Sequence, residues 1–97
     1  MTREFIVEIT TKIPDGADPA EVDARRAAEA VRAKELAASG NLGRLWRPVG
    51  QLRSIGVWLA EDEADLWANV LDTLPLRPWM SITVTAVQPH PNDPGRP

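Results

Sequence analysis

The segment from Leu74 to Met80, with the sequence Leu-Pro-Leu-Arg-Pro-Trp-Met, places the strongest constraint on the fold of this chain. Proline fixes its own φ angle and disfavours helical geometry in the residue before it, so Pro75 and Pro78 leave the segment little conformational freedom. A helical apolar stripe precedes the segment and a strand-like alternation follows it. The sequence therefore predicts a helix end, a rigid turn, and a strand that begins at Met80.

Four strands are predicted by alternation of polar and apolar residues with many β-branched side chains: residues 4–12, 44–49, 52–60 and 80–87. Gly50 and Gln51, between the second and third strands, predict a tight two-residue hairpin. Pro48 has no amide hydrogen to donate, so the second strand is expected at an edge of the sheet, or bulged at this residue.

Two helices are predicted from capping residues and apolar spacing. Asp18 as N-cap, followed by Pro19, begins an alanine-rich helix that extends to about Ser39, where Gly40 supplies a left-handed C-terminal cap. Asp62 begins a second helix. Its apolar stripe follows the i, i+3, i+4 rule through Leu66, Trp67, Val70, Leu71 and Leu74.

The order β-α-β-β-α-β predicts an α+β, ferredoxin-like fold, in which one antiparallel sheet carries both helices on one face. The first strand nevertheless has apolar residues on both faces, with Ile6 opposite Phe5, and the third strand does too. A monomer would leave one of those faces in water, so two sheets are expected to pack face to face as a dimeric α+β barrel. Residues 1–97 are expected to form one domain, whose proline-rich tail at 89–97 is loose or lies on a neighbouring subunit.

Composition excludes several classes of function. The net charge is −3, and the 11 basic and 14 acidic side chains are mixed along the chain, which argues against nucleic acid as the main partner. The absence of cysteine excludes disulfides and thiolate chemistry, and a single histidine, His90, cannot form a metal site with cysteine partners. No apolar run approaches the length that spans a membrane, and no signal-peptide h-region is present, so the cytoplasm is the expected location.

Glu29, on the first helix, is the leading candidate for chemistry. It shares a helix face with Val22, Ala33 and Leu36, and a carboxyl group on a buried face has a raised pKa that suits a general base near neutral pH. A rival stripe of Val31 and neighbouring alanines lies on nearly the opposite side of the helix. If that stripe is the buried one, Glu29 is a solvated surface charge.

Three basic residues are candidates for binding an anion: Lys12, Arg44 and Arg47. The two arginines lie on opposite faces of the predicted second strand, and Trp46 shares the face of Arg44. A guanidinium group suits bidentate capture of a carboxylate, although a salt bridge within the sheet explains either arginine equally well. Lys12, at the end of the first strand, is a further cation that could attract an anion.

Several short motifs occur in an order typical of one family. They are Lys12-Ile13-Pro14, Asp18-Pro19-Ala20, Glu29, Leu45-Trp46-Arg47 with Gly50, Leu74-Pro75-Leu76 with Pro78 and Met80, and His90-Pro91. As an ordered set that covers Phe5 to Pro91, they resemble the muconolactone Δ-isomerase family. The resemblance implies a ferredoxin-like protein that assembles from dimers into ring-like decamers. It implies an enzyme that moves a proton within muconolactone to give 3-oxoadipate enol-lactone, a step of catechol breakdown by the β-ketoadipate route, with neither a metal nor an organic cofactor.

The resemblance also implies roles for individual residues. Glu29 would be the base, Arg47 or Lys12 would hold the substrate carboxylate, and Arg44 or a backbone amide would stabilise the oxyanion. The rest of the expected substrate-binding set is Trp46, Gln51 and Ser54.

Three positions depart from the family pattern. Members of the family carry polar and aromatic residues, including a His and a Tyr, just after the glycine that matches Gly50, where this chain has Gln51 and Leu52. The charged residue that usually follows the helix glutamate is Ala30 here. These departures keep three alternatives open: a substituted or chlorinated muconolactone, from which the same proton abstraction expels halide; another cyclic carbonyl substrate; and a non-catalytic small-molecule binder on the same scaffold.

Overall fold

Residues 2–95, the part of the chain that the computed structural model describes, form a four-stranded antiparallel sheet with two α-helices. The strands are β1 (Arg3–Thr11), β2 (Leu42–Trp46), β3 (Arg53–Ala60) and β4 (Met80–Val87), and the helices are α1 (Pro19–Ala38) and α2 (Glu63–Asn69). The strand order β2-β3-β1-β4 is that of a ferredoxin-like α+β fold, so the predicted fold class is confirmed. Met1 and the last two residues of the predicted tail lie outside the described residues.

The predicted caps of α1 are confirmed at both ends. The Asp18 side chain accepts a hydrogen bond from the Ala20 amide at 3.0 Å. Gly40 adopts a φ angle of +86°, and the amides of Gly40 and Asn41 donate to carbonyl oxygens of the last helical turn at 3.2 and 2.9 Å. This Schellman-type ending stops the helix and directs the chain into β2.

The two-residue hairpin predicted between the second and third strands is wrong. β2 ends at Trp46 and β3 begins at Arg53, so residues 47–52 form a longer connection. The Gln51 amide donates to the Pro48 carbonyl at 3.1 Å around Gly50, whose φ is +77°, as in a type II turn. Pro48 lies outside the ladder because it has no amide to donate, and β2 is an edge strand as expected.

The core lies between the sheet and the two helices. On β1 it contains Phe5, Val7 and Ile9, which are paired in register with Trp58, Gly56 and Ser54 of β3. The predicted stripe after Asp62 supplies the other side of the core through Leu66, Val70, Leu71 and Leu74, while Trp67 is half-buried. Each fully buried side chain of this kind contributes about 1.5–3 kcal/mol, so this one layer holds the domain together.

The opposite face of the sheet is covered by neither helix. Ile6 lies beside Val57 on this face, with Ile55 and Leu59 next to them, and all four are partly exposed. Strand alternation and register place Arg44 and Trp46 of β2 on the same face. This face of the sheet thus has an apolar centre and a more polar edge at β2, and neither helix covers it.

The predicted helix end at Leu74 is wrong, because Val70 leaves helical geometry (φ −125°, ψ −71°) and α2 ends at Asn69. The segment between α2 and β4 is therefore longer than predicted. It contains two short 3₁₀ helices, Leu71–Thr73 and Arg77–Trp79, and β4 begins at Met80. The Lys12 amide donates to the Trp79 carbonyl at 2.8 Å, which ties the turn to the end of β1. Among the described residues, no helix has the length and apolar character needed to cross a bilayer.

Candidate active site

A cavity of about 610 Å³ lies between α1, the helix-covered face of the sheet and the turn before β4. This volume is typical of sites that hold small molecules. Much of its wall is apolar, and the larger apolar residues that line it are Ile9, Ile13, Leu42, Leu45, Leu52, Trp58, Leu74, Leu76 and Met80. The charged side chains at the cavity are Lys12, Arg26, Glu29, Arg47 and Arg53.

Glu29 is the one acidic side chain among the described residues that line the cavity. The helix face that carries it is the inward face, because Leu36 is buried whereas Val31 is 59% exposed. The rival stripe therefore faces away from the core. Burial raises the pKa of Glu29, and a hydrogen bond from the Leu76 amide opposes this effect less strongly.

A single peptide group in the turn positions Glu29. The Leu76 amide donates to Glu29 Oε1 at 3.0 Å, and the carbonyl of the same peptide group, Pro75 O, accepts from Arg25 Nη1 at 2.7 Å. Arg25 and Glu29 are one turn apart on α1, so the helix binds both polar atoms of this peptide group. The Arg25 guanidinium also lies 5.0 Å from the centroid of the Trp79 ring. We call this arrangement the peptide clamp.

The cavity carries more positive than negative charge. Arg53 is engaged, because it donates to Glu8 Oε1 at 3.2 Å and to Gln51 Oε1 at 2.7 Å. The side chains of Lys12, Arg26 and Arg47 make no hydrogen bond or ion pair within residues 2–95. Three unpaired cations around an apolar cavity favour an anionic ligand.

The structure brings four of the seven predicted site residues to this cavity: Lys12, Glu29, Arg47 and Ser54. Arg44 and Trp46 are not among its lining residues, because Leu45 is the residue of β2 that faces it and side chains alternate along a strand. The Arg44 guanidinium instead lies 5.0 Å from the centroid of the Trp46 ring. Arg44 is thus poorly placed to donate to an oxyanion in this cavity.

Gln51 does not line the cavity either, since its side chain accepts from Arg53 in the connection before β3. Sequence reasoning missed Arg26, which lies three residues before Glu29 on α1 and so shares its side of the helix. It also missed the Leu76 amide, because a hydrogen bond from a backbone amide leaves no signal in the sequence. Among residues 2–95, no three His, Cys, Asp or Glu side chains come together as a metal site.

Comparison with known proteins agrees with this fold. The family model described as muconolactone delta-isomerase matches residues 3–93. The muconolactone Delta-isomerase of Rhodococcus opacus is 35% identical over 92% of this chain and 95% of its own length, and that of Pseudomonas putida is 32% identical over 91% of each. A crystal structure of muconolactone isomerase at 3.3 Å resolution matches with a TM-score of 0.87 and 31% identity over 97% of both chains.

Proposed function

The chain belongs to the muconolactone Δ-isomerase family, and we propose that it moves a proton within muconolactone to give 3-oxoadipate enol-lactone. The observation that carries the proposal is the setting of Glu29. It is a half-buried acid with a raised pKa, held by a backbone amide, in a cavity that also contains unpaired cations. In this setting Glu29 can act as the base, and the cations of the cavity can bind an anion.

The reaction needs one base that acts twice. A proton leaves the ring carbon γ to the lactone carbonyl, the electron pair spreads through the ring to the carbonyl oxygen, and the resulting dienolate takes a proton back at the α carbon. Glu29 can accept and return this proton, because the raised pKa lowers the cost of its protonated form. The Leu76 amide holds Oε1, which leaves Oε2 to take the proton.

Cations at the cavity would hold the carboxylate of muconolactone. We assign this role to Arg47 or Lys12, whose side chains have no partner among the described residues. Arg26 lies on the same side of α1 as Glu29 and would contribute to the same positive field. If Glu29 faced bulk solvent with no cation nearby, the chain would be better explained as a non-catalytic binder. Glu29 instead lines a cavity together with several cations, and this arrangement favours an enzyme.

A second substrate class is favoured by two lining residues. Ala30 and Leu52, at positions where the family carries charged and aromatic residues, both line the cavity. They make it more apolar than the family pattern implies, which suits a substituted lactone such as a chlorinated muconolactone. There the same abstraction by Glu29 would be followed by loss of chloride, with the proton and the chloride ion as the released products.

We further propose that two protomers pack through the open face of the sheet. The partly exposed residues around Ile6 and Val57 would be buried between two sheets, as in a dimeric α+β barrel, and such dimers would form the larger ring that the family resemblance implies. Light scattering coupled to size-exclusion chromatography tests this assembly, since a stable monomer would contradict it.

The proposed reaction is tested by NMR of muconolactone with the protein in D₂O. We expect the enol-lactone to appear, with deuterium at the α carbon to the extent that protonated Glu29 exchanges with the solvent before it returns the proton. The Glu29→Gln protein should lose about 100-fold or more in kcat, since general base catalysis contributes at least that much. Its amide oxygen can still accept from the Leu76 amide, so the fold is kept. Glu35→Gln is the matched control, because Glu35 lies on the same helix and is exposed beside Arg32. Wild-type turnover in the Glu29→Gln protein would remove Glu29 as the base.

A further inference from the structure

Trp58 has a buried indole N–H group without a hydrogen-bond partner in the described part of the chain. It lies on β3 with 3% of its surface exposed, and it lines the cavity. Its indole Nε1 is the one buried side-chain polar atom of residues 2–95 that has no hydrogen-bond partner. By contrast, the indole Nε1 of Trp67 donates to Glu63 Oε2 at 3.3 Å. Buried indole N–H groups normally have a partner, so this unpaired donor calls for an acceptor that the protomer does not provide.

The position of this donor is built by neighbouring residues. Gly56 precedes Trp58 by two residues and lies on the same face of β3, and a Cβ atom at Gly56 would be 2.7 Å from Trp58 Nε1 and 2.9 Å from the Arg44 carbonyl oxygen. The same Cβ would be 3.1 Å from Leu45 Cδ1. Glycine therefore lets the indole lie over the strand, with the buried Nε1 close to Gly56 and near Leu45, another residue that lines the cavity.

Leu45, near Nε1, has a side chain that is free to change its conformation. Its side chain lines the cavity and the residue is 49% exposed, although β2 places it over the helix-covered face. A rotamer change in a half-exposed leucine is a small adjustment, and it would give a molecule in the cavity access to Nε1. The donor is thus near a movable apolar side chain, in a residue that lines the same cavity as Glu29.

An indole N–H is a neutral group that donates and cannot accept. Such a donor suits a carbonyl oxygen that gains negative charge during a reaction, whereas the cations of the cavity suit a carboxylate that is charged throughout. We infer that Trp58 Nε1–H donates a hydrogen bond to the lactone carbonyl oxygen of the substrate and stabilises the dienolate. This inference rests on the proposed function, and it gives Trp58 the role that the sequence had suggested for Arg44.

The proton moves only between the substrate and Glu29, and the electron pairs rearrange within the substrate. When Glu29 takes the γ proton, the C–H electron pair moves into the ring and the carbonyl π pair moves onto the oxygen that Trp58 holds. When Glu29 returns the proton to the α carbon, the carbonyl re-forms and the hydrogen bond weakens. Trp58 keeps its own proton throughout, so it acts as a catalytic residue by stabilising charge.

The Trp58→Phe protein tests this role, because it keeps an aromatic ring in the core and removes the N–H. We expect kcat to fall by about 100-fold, the loss typical of removing one oxyanion donor, while KM changes by less than about threefold. The matched control is Trp67→Phe, which removes an indole N–H outside the cavity and should keep kcat within about twofold of wild type. A Trp58→Phe kcat within about threefold of wild type would overturn the inference.

A second measurement uses the wild-type protein, so it stands even if the variant does not fold. The indole ¹H–¹⁵N resonance of Trp58 should move downfield when a saturated analogue of muconolactone is added, since this analogue keeps the carbonyl and the carboxylate but cannot form a dienolate. An unmoved resonance would overturn the inference. If the resonance moves but wild-type protein leaves muconolactone unchanged, the donor contact stands and the proposed reaction fails. If turnover occurs with an unmoved resonance, the reaction stands and the Trp58 role fails.

Discussion

Arg25→Met isolates the contribution of the peptide clamp to both stability and activity. The substitution keeps much of the apolar stem of the side chain but removes the guanidinium that donates to Pro75 O at 2.7 Å and stacks on Trp79. A hydrogen bond from a charged donor contributes about 1.5–3 kcal/mol, the exposed stacking about 0.5–1 kcal/mol, and the surface ion pair with Glu21 under about 1 kcal/mol. Because Arg25 remains about one-third exposed, the lower part of this range applies, and we expect a loss of about 2 kcal/mol.

For a domain of this size, that loss lowers the melting temperature by roughly 10 °C, measured by circular dichroism at a fixed protein concentration. We also expect kcat to fall by about tenfold, because the peptide group that orients Glu29 loses its second anchor and small misplacements of a catalytic group reduce rate steeply. The assay for kcat is the conversion of muconolactone, measured well below the melting temperature of each variant.

Arg32→Met is the matched control. Arg32 also lies on α1 and also binds the region after α2, through Thr73 Oγ1 at 3.1 Å and the Asn69 carbonyl at 3.5 Å, but it has no contact with the Glu29–Leu76 hydrogen bond. It should lower stability without lowering kcat. The reasoning is refuted if the two variants lose activity equally, or if Arg25→Met is as stable and as active as the wild type.

The remaining predictions concern charge, space and assembly. Because burial raises the folded-state pKa of Glu29 above its ordinary value of 4.5, the stability linked to this group is fully present below that pH and is lost as pH rises through the folded-state pKa. Urea denaturation should therefore show Glu29→Gln more stable than wild type at neutral pH, with the difference fading below about pH 4.5; a constant difference would contradict this. Gly56→Ala should cost about 1–3 kcal/mol and lower kcat, because the new Cβ displaces Trp58; unchanged stability would mean that the indole lies elsewhere. Arg47→Met should raise KM for muconolactone by about tenfold or more with a smaller effect on kcat, and an unchanged KM would assign the carboxylate to another cation. Ile6→Glu should yield monomers in light scattering, and an intact oligomer would rule out the open sheet face as the interface.

The fold could be predicted from the sequence because its signals are local. Asp18, Pro19 and Gly40 define the ends of α1 without help from the rest of the chain, and strand alternation defines the two faces of the sheet. The connection from β2 to β3 was mispredicted because Gly50 permits several turns. Pro48, which cannot donate to the ladder, decides against the shortest one.

The site could be predicted only in part. The alanine-rich helix α1 has two nearly equivalent stripes, and tertiary contacts from the turn at Pro75 and Leu76 decide that Glu29 faces inward. The roles of the Leu76 amide and of the indole N–H of Trp58 depend on which polar atoms are left without partners after folding. A sequence gives the residue types but not which polar atoms lack a hydrogen-bond partner in the folded chain. Such donors can therefore be identified only from the structure.

The proposed reaction requires the ionised Glu29 to remove a proton from bound lactone in a partly buried cavity. The pH dependence of kcat/KM for muconolactone reports on this step. We expect an activity that rises with pH through an apparent pKa above 4.5, and the Glu29→Gln protein should have at most about one-hundredth of the activity and no such dependence. An acid limb that persists unchanged in the Glu29→Gln protein, at near wild-type rate, would contradict the account.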